Sequence, residues 1–131
     1  MRYLLDANVI ITLIRGKDPV LAGRLRKDEP SRYAISSIVT HELYFGAFKS
    51  ARPSYNSAVI DGLQFPVLDF DQEDARHAAE IRASLALRGT PIGPFDVLIA
   101  GQARARKMVL ITHNTREFAR IPGLRIEDWH A

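Results

Sequence analysis

Short apolar runs alternate with amphipathic stretches along this chain. Residues 3–5 read YLL, 33–35 YAI, 66–70 PVLDF and 108–112 MVLIT, lengths that suit strands covered on both faces better than helices. Between them the apolar positions fall at helical spacing. Asn8 is placed to cap a helix running to about residue 15, with Gly16 and Pro19 as its stop. A second helix is predicted over 37–50, ending before Pro53, and a shorter one over 55–63. Asp71 caps a long helix to residue 87, with Asp74 in its acidic first turn and Gly89 as terminator. A Gly/Pro loop from 91 feeds a helix ending by 107; a helical turn at 115–119 and a last strand within 124–129 complete the chain. Strand alternating with helix predicts an α/β fold: one domain over 1–131, with a mostly parallel central sheet and helices on both faces.

The whole-chain balance narrows the chemistry. At 131 residues, 47% hydrophobic and 25% charged, the composition is that of a single globular unit. No apolar stretch approaches the roughly 18 residues of a membrane span, and the N-terminus lacks the layout of a signal peptide, so a cytoplasmic protein is expected. The absence of cysteine excludes a disulfide scaffold, a thiol nucleophile and every cysteine-ligated metal. Any metal must be held by oxygen or imidazole. The four histidines show no metal-ligand spacing, and His41 and His113 read as neighbours of the chemistry rather than its agents. Eighteen Lys and Arg against fifteen Asp and Glu give a net charge of +3, a mild bias toward polyanions. The basic residues bunch at 15–32 and again from Arg104, Arg106 and Lys107 onward; a solvated surface and a nucleic-acid contact both account for such bunching.

The acids carry the sharper signal. Asp6 interrupts RYLLDANVII at the end of the first strand, where a lone buried carboxylate costs several kcal/mol or more. It reads either as a helix cap or as a ligand. Glu42, in SSIVTHELYFGAFKS, shares a helical face with Ile38, Val39, Phe45 and Gly46, which predicts an inward-facing acid; an internal salt bridge is the plainer reading. Asp96, in PFDVLIAGQA, lines up with Ile99, Ala100 and Ala103 and also stands where a cap would. In open α/β sheets ligands gather outside the carboxyl ends of strands. Three caps are one explanation; a shared site is another. Three converging carboxylates repel unless one is protonated or a cation intervenes, and oxygen-only ligation suits Mg²⁺ or Mn²⁺. Such a site predicts phosphodiester cleavage by metal-activated water. Glu117 is a fourth candidate, with Thr112 and Asn114 as supporting groups; Asn114 also reads as a simple turn residue.

Four blocks, LLDANVII, SSIVTHELYFG, IGPFDVLIAGQA and LITHNTREFARIPGLRIEDW, resemble in order the motifs of PIN-domain ribonucleases, and specifically the VapC toxins of bacterial toxin–antitoxin pairs. The resemblance covers nearly the whole chain. It implies a Mg²⁺- or Mn²⁺-dependent endoribonuclease with metal ligands Asp6, Glu42 and Asp96, and Glu117 as a fourth catalytic acid. It further implies a homodimer, a VapB-type antitoxin whose C-terminal segment covers the groove, and structured RNA as substrate: tRNA, including initiator tRNA, or ribosomal RNA. On this reading Arg104, Arg106 and Lys107 are candidate RNA contacts. Ala7 departs from the family, where Thr or Ser commonly follows the first acid. Two rival functions are a phosphoacceptor signalling domain, which lacks its acidic pair in LLDAN and its lysine in ITHNTRE, and a catalytically silent PIN-like module that binds RNA or a partner.

Overall fold

Leu4, Leu5, Ala34, Ile35, Leu110 and Ile111 are all withdrawn from solvent, as strands covered on both faces require. They lie in the centre of one five-stranded sheet in the computed structural model, which describes residues 2–131. The strands are β1 (Tyr3–Leu5), β2 (Tyr33–Ser36), β3 (Val67–Leu68), β4 (Val109–Ile111) and β5 (Ile126–Glu127). Their order is β3-β2-β1-β4-β5 and every pair is parallel. The helices are α1 (Ala7–Arg15), α2 (Pro19–Leu25), α3 (Ser37–Phe48), α4 (Pro53–Asp61), α5 (Gln72–Leu87), α6 (Pro94–Ala105) and α7 (Thr115–Phe118), with a 3-10 turn, Pro30–Arg32, before β2.

The chain steps from β1 outward to β2 and β3, then crosses back to β4 on the other side of β1. Right-handed crossovers therefore set α1 to α4 on one face and α5 and α6 on the other. The direction of progress reverses between β1 and β4, and that crevice is where such sheets collect ligands. No helix among the described residues is long and apolar enough to cross a membrane.

Two local readings need correction. The cap of α1 is Asp6, whose side chain accepts from the Ala7 N–H, and Asn8 lies inside the helix. Pro19 starts a helix rather than only ending one: Asp18 caps α2 by accepting from the Leu21 N–H, and Pro at the first helical position loses no bond there. The cap of α5 is as expected, with Asp71 and Asp74 exchanging side-chain-to-backbone bonds of 3.0 and 2.9 Å. Gly89 follows that helix at φ +69°, the left-handed turn that favours glycine.

The pair α5–α6 is locked at close quarters. A β-carbon on Gly101 would stand 2.5 Å from the Ala78 backbone nitrogen, so only glycine lets the two helices touch here. Just beyond the end of α6, Arg106 bonds both oxygens of Asp74, at 3.2 and 2.9 Å, and the Asp69 carbonyl at 2.7 Å. Gln102 adds 3.1 Å bonds to Asp74 and to Asp69. Burial pushes the Asp74 carboxyl up, but these donors and the Asp71 N–H outweigh it and hold it below the usual range. Arg106→Ala strands that buried carboxylate and should cost roughly 2–3 kcal/mol; Gly101→Ala should cost about 1–3 kcal/mol by forcing the helices apart. Urea unfolding of both variants measures this, and wild-type stability in either removes that contact from the framework.

Candidate active site

Asp6 leaves the sheet at the end of β1 with its backbone N–H still bonded to the Ile111 carbonyl, 3.0 Å away. Its side chain is 5% exposed. One oxygen accepts from the Ala7 N–H at 2.8 Å, the other from the Thr112 hydroxyl at 2.8 Å. The cap reading of Asp6 holds, and the same carboxylate is tied across the crevice to Thr112, just beyond β4. Burial still dominates, raising its carboxyl above the ordinary value against the opposing pull of Thr112, Ala7 and His130.

Thr112 begins a relay. Its hydroxyl accepts from the Asn114 N–H at 3.0 Å, and the Asn114 amide donates to Glu117 Oε2 at 2.9 Å. Asn114 occupies the cap position of α7, yet its side chain makes no capping bond. It orients Glu117 instead.

Glu42 comes from α3, whose buried stripe is Val39, Leu43 and Ala47. The expected face was drawn one position off: Phe45 is 60% exposed, and Glu42 stands at the stripe's edge, half-buried. Its Oε1 is buried without a hydrogen-bond partner. Burial first, then the charges of Asp6 and Asp96, push its carboxyl up to about 7. Asp96, in the first turn of α6, is raised to about 6 by burial and by Asp6 and Glu117. A capping role for Asp96 is not realised, since Gly93 is the cap of α6 and no side chain serves it. Gly93 is a residue the motif reading passed over: a β-carbon there would sit 3.0 Å from Asp96 Oδ2, inside the space that carboxylate uses.

The four acids are therefore electrostatic neighbours drawn from four separate elements. They form an open set, because among the described residues the group whose ligand atoms all lie within 4.8 Å of one another is a different one, His113, Asp128 and His130. An open carboxylate set fits Mg²⁺ or Mn²⁺, which keep waters in place of a protein cage. The unpartnered Glu42 oxygen and two carboxyls raised by burial and then by neighbouring charge are what a divalent cation relieves.

The basic candidates lie elsewhere. Asp96 opens α6 and Arg104 and Arg106 close it, most of an ~18 Å helix away. Arg104 is spent on Glu80 at 2.7 Å, His77 at 3.0 Å and the Pro122 carbonyl at 3.3 Å, and Arg106 on Asp74. Lys107 is exposed beside them, at φ 56°. Charge bunching in the sequence marked internal ion pairs here. Beside Glu42 runs a groove of about 610 Å³, lined by Ile11, Ile14, Leu43, Tyr55 and Ile60 with Arg15 at its margin.

The fold has known counterparts. The model of the PIN domain matches residues 3–124. A protein of Salmonella typhimurium named tRNA(fMet)-specific endonuclease VapC is 47% identical over 98% of each chain. One of Shigella flexneri with the same name is 44% identical over the same share of both. A crystal structure of DNA-bound VapBC from Salmonella typhimurium contains a chain 46% identical, with TM-score 0.93 over 98% of both chains.

The raised carboxyls fix a pH dependence. Between the ordinary carboxylate value and about 7 for Glu42, or about 6 for Asp96, the folded chain holds protons that the unfolded chain has released. Stability from this site is thus lost as pH rises through that window. The melting temperature of metal-free protein should carry a falling contribution from pH 5 to 8 that Glu42→Gln reduces. Added Mg²⁺ or Mn²⁺ should raise it more at pH 8 than at pH 5; equal shifts at both pH values would mean the ion binds away from these acids.

Proposed function

The chain belongs to the PIN-domain family, among its VapC toxins, and from that premise we propose how it acts: as an endoribonuclease whose Mg²⁺ or Mn²⁺ is held by Asp6, Glu42 and Asp96. The observation that carries the reading is the unpartnered, buried Oε1 of Glu42 beside two further acids. When bound, the divalent ion would supply charge neutralisation at the phosphodiester and would lower the pKa of a water so that it can give up a proton and attack.

The chain's own residues supply position. Thr112 and the Ala7 N–H fix both oxygens of Asp6, so its orientation survives the approach of a phosphate. Asn114 holds Glu117 at the rim, where it orients water and acts as the fourth acid without closing the set. Asp96 extends from the first turn of α6 into space that Gly93 leaves free. No side-chain nucleophile is required.

The substrate is structured RNA, and the names borne by the Salmonella and Shigella relatives make initiator tRNA the first candidate. The partner is a VapB-type antitoxin, and the groove beside Glu42 is the surface we assign to its C-terminal segment: apolar side chains for Ile11, Ile14 and Ile60, and a basic group to meet Glu42. A second copy of the chain fits the other face, where α5 shows Ala75, Ala79, Ala83 and Ala86 to solvent near the exposed Phe95.

Purified chain freed of antitoxin should cut initiator tRNA at a discrete position with Mg²⁺ or Mn²⁺ and not with EDTA. Asp96→Asn should lower the rate by ~10²–10³-fold, the scale of losing one preorganised group that stabilises the transition state, while remaining folded. Equal cutting by both proteins would assign the activity to a contaminant; metal-independent RNA binding without cutting of tRNA or ribosomal RNA would make this a silent module. Gly93→Ala should lower kcat with little change in melting temperature, because it displaces the Asp96 carboxylate and no core atom.

A further inference from the structure

A second cluster stands at the carboxyl ends of β4 and β5, unused by the nuclease. The parallel register of these strands sets Ile111 beside Glu127, so the residues that follow emerge together. His113 comes from β4; Asp128 and His130 come from β5. Asp128 Oδ2 lies 3.1 Å from His113 Nδ1 and Oδ1 lies 2.9 Å from His130 Nδ1. The two imidazole rings are 4.7 Å apart and tilted by 50°, and ligand atoms of all three residues fall within 4.8 Å of one another.

The cluster is braced from behind. Trp129 is buried edge-on against Tyr3, centroids 4.9 Å apart, with the Arg24 guanidinium 4.0 Å over its ring. Its Nε1 donates to Glu127 at 3.0 Å. On the other side the Ala131 N–H donates to Asp18 Oδ2 at 3.0 Å, and the His130 N–H donates to Asp128 Oδ1 at 3.0 Å. His130 is thus pinned between two fixed neighbours, its side chain only 11% exposed, whereas that of His113 is 68% exposed and leaves one side open.

We propose that His113, Asp128 and His130 form a second metal site, selective for Zn²⁺, with a fourth position open to solvent. Bonds of about 2.0–2.2 Å to a tetrahedral ion set neighbouring ligand atoms about 3.3–3.5 Å apart, so the short Asp128 contacts widen by a few tenths of an ångström and the longer separations, within 4.8 Å, close around the ion. Two imidazoles with one carboxylate form a set that Zn²⁺ accepts and Mg²⁺ does not favour. The four-acid site offers the opposite preference, so the chain carries two sites of different chemistry. An ion at this one clasps the C-terminal residues to the loop one position beyond Thr112, the residue that holds Asp6.

The test uses untagged full-length protein and the position of Trp129, the chain's one tryptophan. With excess Mg²⁺ filling the four-acid site, Co²⁺ should bind at one further ion per chain, quench Trp129 fluorescence and be displaced by Zn²⁺, and Zn²⁺ should raise the melting temperature. Excess Mg²⁺ should not compete. His113→Ala, which alters an exposed side chain and should fold, and His130→Ala should each weaken Zn²⁺ by more than the ~10–100-fold that loss of a mere supporting group costs; Asp96→Asn should bind Zn²⁺ as the wild type does. Absence of Zn²⁺ binding, or binding that survives both histidine variants and is lost in Asp96→Asn, overturns the proposal. In that case the cluster is a carboxylate hydrogen-bonded by two imidazoles and no more.

Discussion

The Thr112 hydroxyl bond to Asp6 is the contact on which the site rests. It joins the ends of β1 and β4 at the one place where the chain's progress across the sheet reverses, so it ties the two halves of the fold together where the chemistry must happen. Each hydrogen bond to a charged group returns about 1.5–3 kcal/mol, and Asp6 has two. That does not fully offset the several kcal/mol that burying a carboxylate costs, and Asp6 stays above its ordinary pKa. The geometry is therefore fixed while the charge is left unsatisfied. A site built this way is rigid toward a cation and inhospitable to three bare carboxylates.

The same helix provides rigidity at one end and function at the other. α6 begins at Asp96's turn and closes at Arg106, whose bonds to Asp74 and to the Asp69 carbonyl tie it to α5 and its leading turn. Between them Gly101 meets Ala78 without room for a β-carbon. A shift of this helix would move Asp96, so the close packing at Gly101 keeps a carboxylate in register with partners on β1 and α3. Arg104 and Arg106, which the sequence offers as contacts for nucleic acid, also fasten α6 to α5 and its leading turn.

Much of the fold could be read directly. Runs such as YLL and VLI are short, fully apolar and bounded, and the structure makes β1 and β4 of them; Asp71 reads as the cap it is, while the return bond from Asp74 comes from the structure. The α/β class and the parallel sheet followed from that alternation. The acids at the starts of helices were legible because a charge in an apolar setting has few inexpensive explanations. Legibility fails where one residue type serves two purposes: Pro19 reads as a stop although Asp18 before it makes it a start, and Asn8 and Asp6 both read as caps of α1 until the Ala7 N–H selects Asp6. Glu42 stands at the edge of its buried stripe rather than in a face shared with Phe45, because apolar Phe45 is exposed, and periodicity cannot tell core from an uncovered surface.

What the sequence determined by itself is most of the elements, α2 excepted, and which acids stand in apolar settings, since both are written in local patterns of a few residues. The tertiary structure decided which groups meet. Glu42's unpartnered oxygen, Gly93's clearance for Asp96, the pairing of Arg104 and Arg106 with acids of α5 and its leading turn, and the junction of His113 with Asp128, fifteen positions apart, all arise from strand register and helix crossing. These are set by long-range packing of the whole sheet, and no local spacing encodes them. The order in which parallel strands assemble converts distant residues into neighbours, and that order is a property of the folded core.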